Sequence, residues 1–393
     1  MKQFIKNIIA VGAILLYSSF VCLALSSYEP DDVSESGGKN LLSITDLVLI
    51  YGGGAHRTVD WNAEHFTPYV SYTDRKGKEH WLFDGFLMLE IIDGKGKIFA
   101  TGYNGTPATK SEWQSLVDYY FTSGICIDAL NKCVDEKNRV IGNPPRKRKI
   151  IIGIPEPIVT GPNTRYEQIS ANYWGDVNGK KLDFNDQDDR ITACKWYIDY
   201  VIALFDENKF SSLELAGFYW IAETAGHTKS ILPIVGEYIQ KAGYTFIWIP
   251  YWKGSPPEPD YFTWKELGFH TSYQQPNYFF DEKIPYSRLE EACNVAHAYD
   301  LDLELEFDQR IFADKGDRSS RLYDYMNVFR NSGVLSKKRI AYYQSVDVVY
   351  QLYRATGEKE KEMYHDFCTF VRDHQSAYQE QTRMQPQKPQ KKN

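Results

Sequence analysis

The chain has 393 residues, 43% of them hydrophobic and 15% aromatic, with 45 Lys and Arg against 52 Asp and Glu for a formal net charge of -7. This length and composition suit one large domain or two ordinary ones around a sizeable core, and exclude a largely disordered chain. The negative balance argues against a nucleic-acid partner, since phosphate binding needs a basic face; the run Arg146-Lys147-Arg148-Lys149 reads as the solvated start of a strand.

Lys2 and Lys6 precede an almost wholly apolar stretch over residues 8–25. Residues 1–26 read as a signal peptide and are set aside from the fold. Ala24-Leu25-Ser26 suits cleavage after Ser26, whereas lipid modification of Cys22 would tether the chain to a membrane as an outer-membrane lipoprotein. Both fates place the protein outside the cytoplasm: secreted, periplasmic or on the cell surface. Residues 27–44 are polar and read as a tether, and no second apolar stretch is long enough to span a membrane.

Short apolar runs then recur, separated by polar loops and helix-like segments. The first strand is expected at residues 46–51 (DLVLIY), ending in Gly52-Gly53-Gly54, and the second at residues 83–92 (FDGFLMLEII). An amphipathic helix is expected over residues 111–131, then a third strand at residues 149–154 (KIIIGI) after Pro144-Pro145. Strands four to six are expected at residues 213–222, 244–249 and 268–275, with a helix through residues 231–241 before the fifth. The seventh is expected at residues 299–307, after a helix through Leu289, Ala292 and Ala296, and the eighth at residues 339–343. A helix over residues 358–372 closes the series, and residues 379–393, rich in Gln, Lys and Pro, read as disordered.

Eight strands alternating with helices, mostly at intervals of roughly 25 to 40 residues, predict an α/β fold, a single-domain (β/α)8 TIM barrel over residues 45–378 with insertions in the first βα units. An open doubly wound sheet is the runner-up, but Gly52-Gly53-Gly54 is not followed by a glycine-rich phosphate turn. Five cysteines follow Cys22 and are scattered: Cys126, Cys133, Cys194, Cys293 and Cys368. Cys126 and Cys133 would lie about 10 Å apart along a helix, beyond disulfide reach, so buried thiols are expected and no zinc spacing is present. The acidic stretch from Asp176 to Asp189 does not follow the EF-hand order and reads as a loop with a helix cap. No metal or cofactor motif is found.

The seventh strand has the most informative pattern. Leu301, Leu303, Leu305 and Phe307 alternate with Asp302, Glu304, Glu306 and Asp308. Leucines packed outward against helices would point the acids into a polar interior, with Glu306 near the mouth and Glu304 one layer deeper. In the fourth strand the same phase argument sets Leu215, Gly217, Tyr219, Ile221 and Glu223 on the inner face. The second strand groups Asp84, Phe86, Met88 and Glu90, and the third ends at Glu156. The expected mouth therefore gathers Glu90, Glu156, Glu223 and Glu306.

Paired carboxyls across a cleft suit glycoside hydrolysis, one protonated to serve the leaving oxygen and one ionised to attack the sugar or activate water. Sugar rings stack on aromatics and their hydroxyls need polar partners. Candidate sugar-binding residues after the strands are Tyr51, His56, Tyr219, Trp248 and Tyr251, followed by Gln275 and Asn277. Trp252, before the proline-rich loop of residues 253–260, reads as an exposed stacking platform.

A fourth-strand Glu paired with a seventh-strand Glu is similar to the clan A glycoside hydrolases. The resemblance implies that Glu223 is the acid/base, that a seventh-strand Glu is the nucleophile, and that stereochemistry is retained. Ala222 stands where that clan usually has Asn. YWIAET at residues 219–224, YQQPNYFF at 273–280 and ELEFD at 304–308 resemble a family of secreted bacterial proteins called domain of unknown function 4855. The expectation is a retaining glycoside hydrolase acting on a poly- or oligosaccharide, with Glu223 as acid/base, Glu306 as nucleophile, and Glu304 orienting Glu306 or exchanging roles with it. A non-catalytic surface glycan-binding barrel is the alternative, and a hydrolase built on Glu90 and Glu156 a third reading.

Overall fold

The computed structural model describes residues 44–144, 146–161, 164–166, 168, 172–252 and 262–384. The expected signal peptide with Cys22, residues 27–43 of the tether, the 253–260 loop and residues 385–393 lie outside them. Eight parallel strands form a closed barrel: β1 (Asp46–Tyr51), β2 (Gly85–Leu89), β3 (Arg148–Ile154), β4 (Leu213–Trp220), β5 (Thr245–Trp248), β6 (Thr271–Gln274), β7 (Asp302–Glu306) and β8 (Ile340–Tyr343). Each pairs with its sequence neighbours, and β1 pairs β8 from Asp46↔Ile340 to close the ring.

The helices run in chain order: α1 (Ala63–Val70), α2 (Lys110–Tyr120), α3 (Cys126–Ile141), α4 (Gln187–Asn208), α5 (Leu232–Lys241), α6 (Ser287–Ala298), α7 (Ser319–Asn331), α8 (Val334–Lys337), α9 (Val348–Arg354) and α10 (Glu358–Met384). The expected insertions are three two-stranded ribbons, 71–73 with 79–81, 97–98 with 106–107, and 173–177 with 180–183, all in the first three βα units. The expected helix over residues 111–131 is two helices, because the Thr122-Ser123-Gly124 turn, with Gly124 at φ +86°, breaks it. The acidic stretch forms the third ribbon and the start of α4, where Asp186 accepts from the Asp188 amide as the cap. The last helix continues to Met384, through residues 379–384 of the segment expected to be disordered. All five described cysteines are buried thiols.

Strand phase decides what reaches the interior. In β7 the leucines and Phe307 are fully buried, and Phe307 meets Phe367 of α10 at a ring distance of 5.2 Å. In β2 the expected phase is inverted: Phe86 packs on Phe66 of α1, and the Met88 sulfur is 3.7 Å from Cys126 of α3. Asp84, Phe86, Met88 and Glu90 therefore share the helix side. In β4 a bulge lies between Leu215 and Gly217, which pair with Ile150 and Ile151 respectively. Since those two are adjacent on β3, Leu215 and Gly217 take opposite faces, and the extra residue sets the phase that carries Tyr219 and Glu223 inward.

The ring is pinned where β1 meets β8. His374 of α10 is buried with Nδ1 2.6 Å from Asp46 Oδ1 and Nε2 2.8 Å from the Lys338 carbonyl, and the Tyr342 hydroxyl donates to Asp46 at 2.5 Å. Burial pushes the Asp46 carboxyl up despite this His374 contact, while Asp46 holds the His374 imidazole above its usual range against burial.

Gly217 tests the bulge. A Cβ there would lie 2.1 Å from the Thr245 carbonyl oxygen on β5, a backbone atom that cannot rotate away. Gly217→Ala is expected to cost about 3 kcal/mol or more, read as a lower midpoint in chemical unfolding; an unchanged midpoint would show that the two strands are not held this closely.

Candidate functional site

The ends of the barrel strands enclose a cavity of about 350 Å³, within the range of small-molecule sites. Its floor and walls include Glu223 after β4 and Glu304 and Glu306 of β7. Tyr51, Tyr103, Tyr219, Tyr251, Phe280 and Tyr343 supply an aromatic lining. The site thus lies at the carboxyl ends of the strands, where the βα loops of a barrel converge.

The three carboxyls differ in their partners. Glu306 Oε2 accepts from the Asn277 amide at 2.6 Å and from the Tyr325 hydroxyl at 2.5 Å. Asn277 sits at φ +52°, in the left-handed region that asparagine tolerates, and this turn aims its N–H at the carboxylate. Glu223 Oε1 accepts from the Gln275 amide at 3.3 Å, and the same Gln275 nitrogen donates to the Ile249 carbonyl at 3.0 Å. Glu304, fully enclosed, presents its carboxyl to the cavity.

Burial raises all three pKa values, because desolvation penalises the charged form. Glu304 is pushed well above the usual carboxyl range, first by burial and then by the charges of Glu306 and Glu223. Glu306 is pushed up to about 7 by burial, with its two donors pulling the other way and Glu223 adding to the rise. Glu223 is raised by burial, and the Gln275 hydrogen bond opposes that. Glu304 is thus the carboxyl pushed furthest toward its protonated form, and Glu306, the best hydrogen-bonded, has the most donors for a negative charge.

Of the sequence candidates, Tyr51, Tyr219, Tyr251, Gln275 and Asn277 line this cavity with Glu223, Glu304 and Glu306. Tyr251 is tied in through its hydroxyl, which accepts from Asn277 Nδ2 at 2.9 Å. Five other candidates do not line it. Glu90 accepts from Arg57 Nε at 2.7 Å and Nη2 at 3.2 Å and from the Ile91 amide at 2.8 Å, on the helix-side phase of β2. Glu156 accepts from the Thr101 amide at 2.6 Å, has His227 Nε2 3.5 Å away, and is pushed by burial to about 7. Neither carboxyl reaches the cavity wall, which removes the geometric basis for a hydrolase built on those two. His56 is exposed on the loop after β1. Trp248 is buried against Phe269, its indole donating to the Ala222 carbonyl at 2.8 Å. Trp252, expected as an exposed platform, is 1% exposed with the Arg288 guanidinium 4.7 Å from its ring centre.

Other residues at the cavity and its hydrogen bonds escaped the strand-phase reasoning. Arg57 lines the cavity, pairs with Glu90 and lies 4.7 Å over the Tyr51 ring. Tyr103 comes from the ribbon after β2 and Tyr325 from α7. An aromatic in the middle of a helix reads as core, and in sequence nothing separates Tyr325 from Phe329 one turn later. Among the described residues, no group of three or more His, Cys, Asp or Glu side chains is placed to hold a metal ion.

Comparison with the curated proteins gives no match. Among solved structures, the chain is similar to the catalytic domain of a family GH18 chitinase from the fern Peteris ryukyuensis, at 9% identity over 84% of this chain and 98% of that one, TM-score 0.40. It is similar to a GH113 beta-1,4-mannanase at 10% identity over 86% and 98%, TM-score 0.40. It is similar also to a mutant tryptophan synthase alpha-subunit from Pyrococcus furiosus at 10% identity over 84% and 98%, TM-score 0.36. At these identities and TM-scores the likenesses bear on no residue and no activity. Residues 46–369 match the family described as Domain of unknown function (DUF4855), and the chain belongs to that family.

Proposed function

We propose that the protein is a retaining glycoside hydrolase acting outside the cytoplasm on a poly- or oligosaccharide. The observation that supports this most is a single aromatic-lined cavity holding three inward carboxyls with unequal hydrogen bonding. The tyrosines offer faces for sugar rings, and Gln275 and Asn277 offer amides for hydroxyls. The apolar stretch at residues 8–25 supports export.

In this reading the ionised Glu306 attacks the anomeric carbon and forms a glycosyl ester, while the glycosidic C–O bond breaks. The leaving oxygen takes the proton of Glu223, whose pKa burial raises above the ordinary carboxyl value. Glu223, now a carboxylate, then takes a proton from water as the water oxygen attacks the anomeric carbon, and Glu306 is released. Tyr325 and the Asn277 amide hold the nucleophile and favour its charge. Glu304 stays protonated beneath it, so that the cavity does not hold adjacent negative charges.

A screen of plant, host and microbial glycans supplies the substrate. Glu223→Gln and Glu306→Gln are then expected to lower kcat by about 10²–10⁴-fold or more with glycan binding retained, and Glu304→Gln to stay within about one order of magnitude of the parent. Full turnover in both of the first two variants would defeat the assignment. Glycan binding by the parent with no hydrolysis would favour a non-catalytic surface barrel instead.

The pH profile of kcat/KM should show an acidic limb near pH 7, because activity needs the Glu306 carboxylate. Tyr325→Phe removes one charge-assisted bond to that carboxylate and should move the limb upward by about one to two pH units. An unmoved limb would mean that the group controlling it is not Glu306.

Glu304 also links pH to stability. Unfolded, it ionises near the ordinary carboxyl value of about 4.3; folded, its pKa lies well above that. Its contribution is therefore most favourable below the unfolded value and is lost as pH rises toward the folded one. Glu304→Gln should flatten the decline of stability with rising pH, measured by thermal unfolding at about pH 4 and pH 8; a decline equal to the parent's would show that Glu304 is not the strained group.

A further inference from the structure

At the opposite end of the barrel, a second pocket of about 220 Å³ lies between the ribbon ending at Trp81, the start of β3 and the last turns of α10. Arg146 and Arg148 enter from the basic run that opens β3, and Arg372 and Gln379 from one face of α10, seven residues apart. Three guanidinium groups meet here, and Asp84 is the carboxylate among the lining residues. Asp84 is already committed. Its Oδ1 accepts the amides of Thr45 and Asp46 at 3.0 and 2.9 Å, and its Oδ2 takes the Arg146 ion pair. His80, also on the wall, lies 2.9 Å from Asp74 Oδ2.

Arg148 is the unusual member. It is 3% exposed, its Nε and Nη2 are buried without a hydrogen-bond partner, and the Trp81 ring lies 4.8 Å from its guanidinium. Burial lowers its pKa to about 10, since Asp84 offsets the desolvation only in part and Arg146 adds repulsion. A buried charged donor left unpaired costs more than a neutral one, so a ligand that supplies oxygens would offset that cost. Arg372 has no carboxylate partner among the described residues. The pocket thus offers an excess of positive charge, fork-shaped donors suited to an oxyanion, and limited volume.

We propose that this pocket is an anion site that binds a tetrahedral oxyanion, inorganic phosphate or sulfate, through Arg148 and Arg372 with Arg146 and Gln379 beside them. The site is independent of the chemistry proposed for the other end of the barrel. It pairs the last helix with the start of β3, so a bound anion ties α10 to the barrel and stabilises the fold by mass action.

The test is thermal unfolding of the full chain titrated with inorganic phosphate, and separately with sulfate, against sodium chloride and sodium acetate at matched ionic strength. Concentrations stay in the low-millimolar range, where general exclusion effects of these salts are small. The expected result is a saturable rise in Tm with phosphate or sulfate and none with chloride or acetate. Arg148→Met should abolish it. Arg372→Ala, at a half-buried position of the helix, should weaken the apparent Kd by about ten-fold, the size of one charge-assisted bond. A shift no larger than that from chloride, an equal shift with acetate, or an undiminished saturable shift in Arg372→Ala would overturn the proposal. The Arg372→Ala result decides the matter even if Arg148→Met does not fold.

Discussion

Three carboxyl groups enclosed in one cavity cannot all be charged at neutral pH. Water would screen them on a surface; inside the barrel the protein must substitute for it, and it does so unequally. Glu306 receives a backbone amide and a tyrosine hydroxyl, Glu223 receives one longer amide contact, and Glu304, fully enclosed, is pushed up by burial and by its two acidic neighbours. The inequality separates their proton affinities: Glu304 is pushed furthest up, while the donors on Glu306 and Glu223 oppose the effect of burial. A set of carboxyls whose environments separate their proton affinities is what acid/base chemistry requires.

That arrangement depends on features well away from the acids. The bulge between Leu215 and Gly217, accommodated by the missing side chain at 217, sets the phase of the upper half of β4 and so the direction of Tyr219 and Glu223. The Tyr325 hydroxyl comes from α7, which must be docked against β7 for the bond to exist. Closure of the ring rests on β1 meeting β8, where Asp46, Tyr342 and His374 form a buried polar cluster under the last helix. Loss of closure would separate the strands that carry the site.

Charge is distributed by end. Three glutamates line the cavity where the strands finish, and three arginines with Asp84 line the pocket where they begin. The basic run before β3 is not the uniformly solvated start that its composition suggests. Lys149 pairs with Glu214 and Lys147 donates to the Phe210 carbonyl, while Arg146 turns to Asp84 and Arg148 to the Trp81 ring. Burial of Arg148 leaves two of its nitrogens there without a hydrogen-bond partner.

Much of this was legible in the chain itself, for a local reason. The β7 run alternates leucine with acid, and since a strand turns successive side chains to opposite faces, covering the leucines with helices obliges Glu304 and Glu306 to face inward. The eight-fold recurrence of strand and helix likewise specified the barrel and its insertions, because each element's period is written in its own residues. The run around β2, FDGFLMLEII, is apolar in both phases and carries no such instruction; Glu90 was settled by Arg57, which reaches it from another loop. Trp252 lies buried beneath Arg288 because of what packs over it, which aromatic character alone does not specify. Tyr325 and Arg148 became partners of the site and of the lower pocket only through contacts between distant segments. Side-chain direction along one strand follows from backbone stereochemistry and is local; burial, proton affinity and the identity of a hydrogen-bond donor are set by neighbours that only the folded chain brings together.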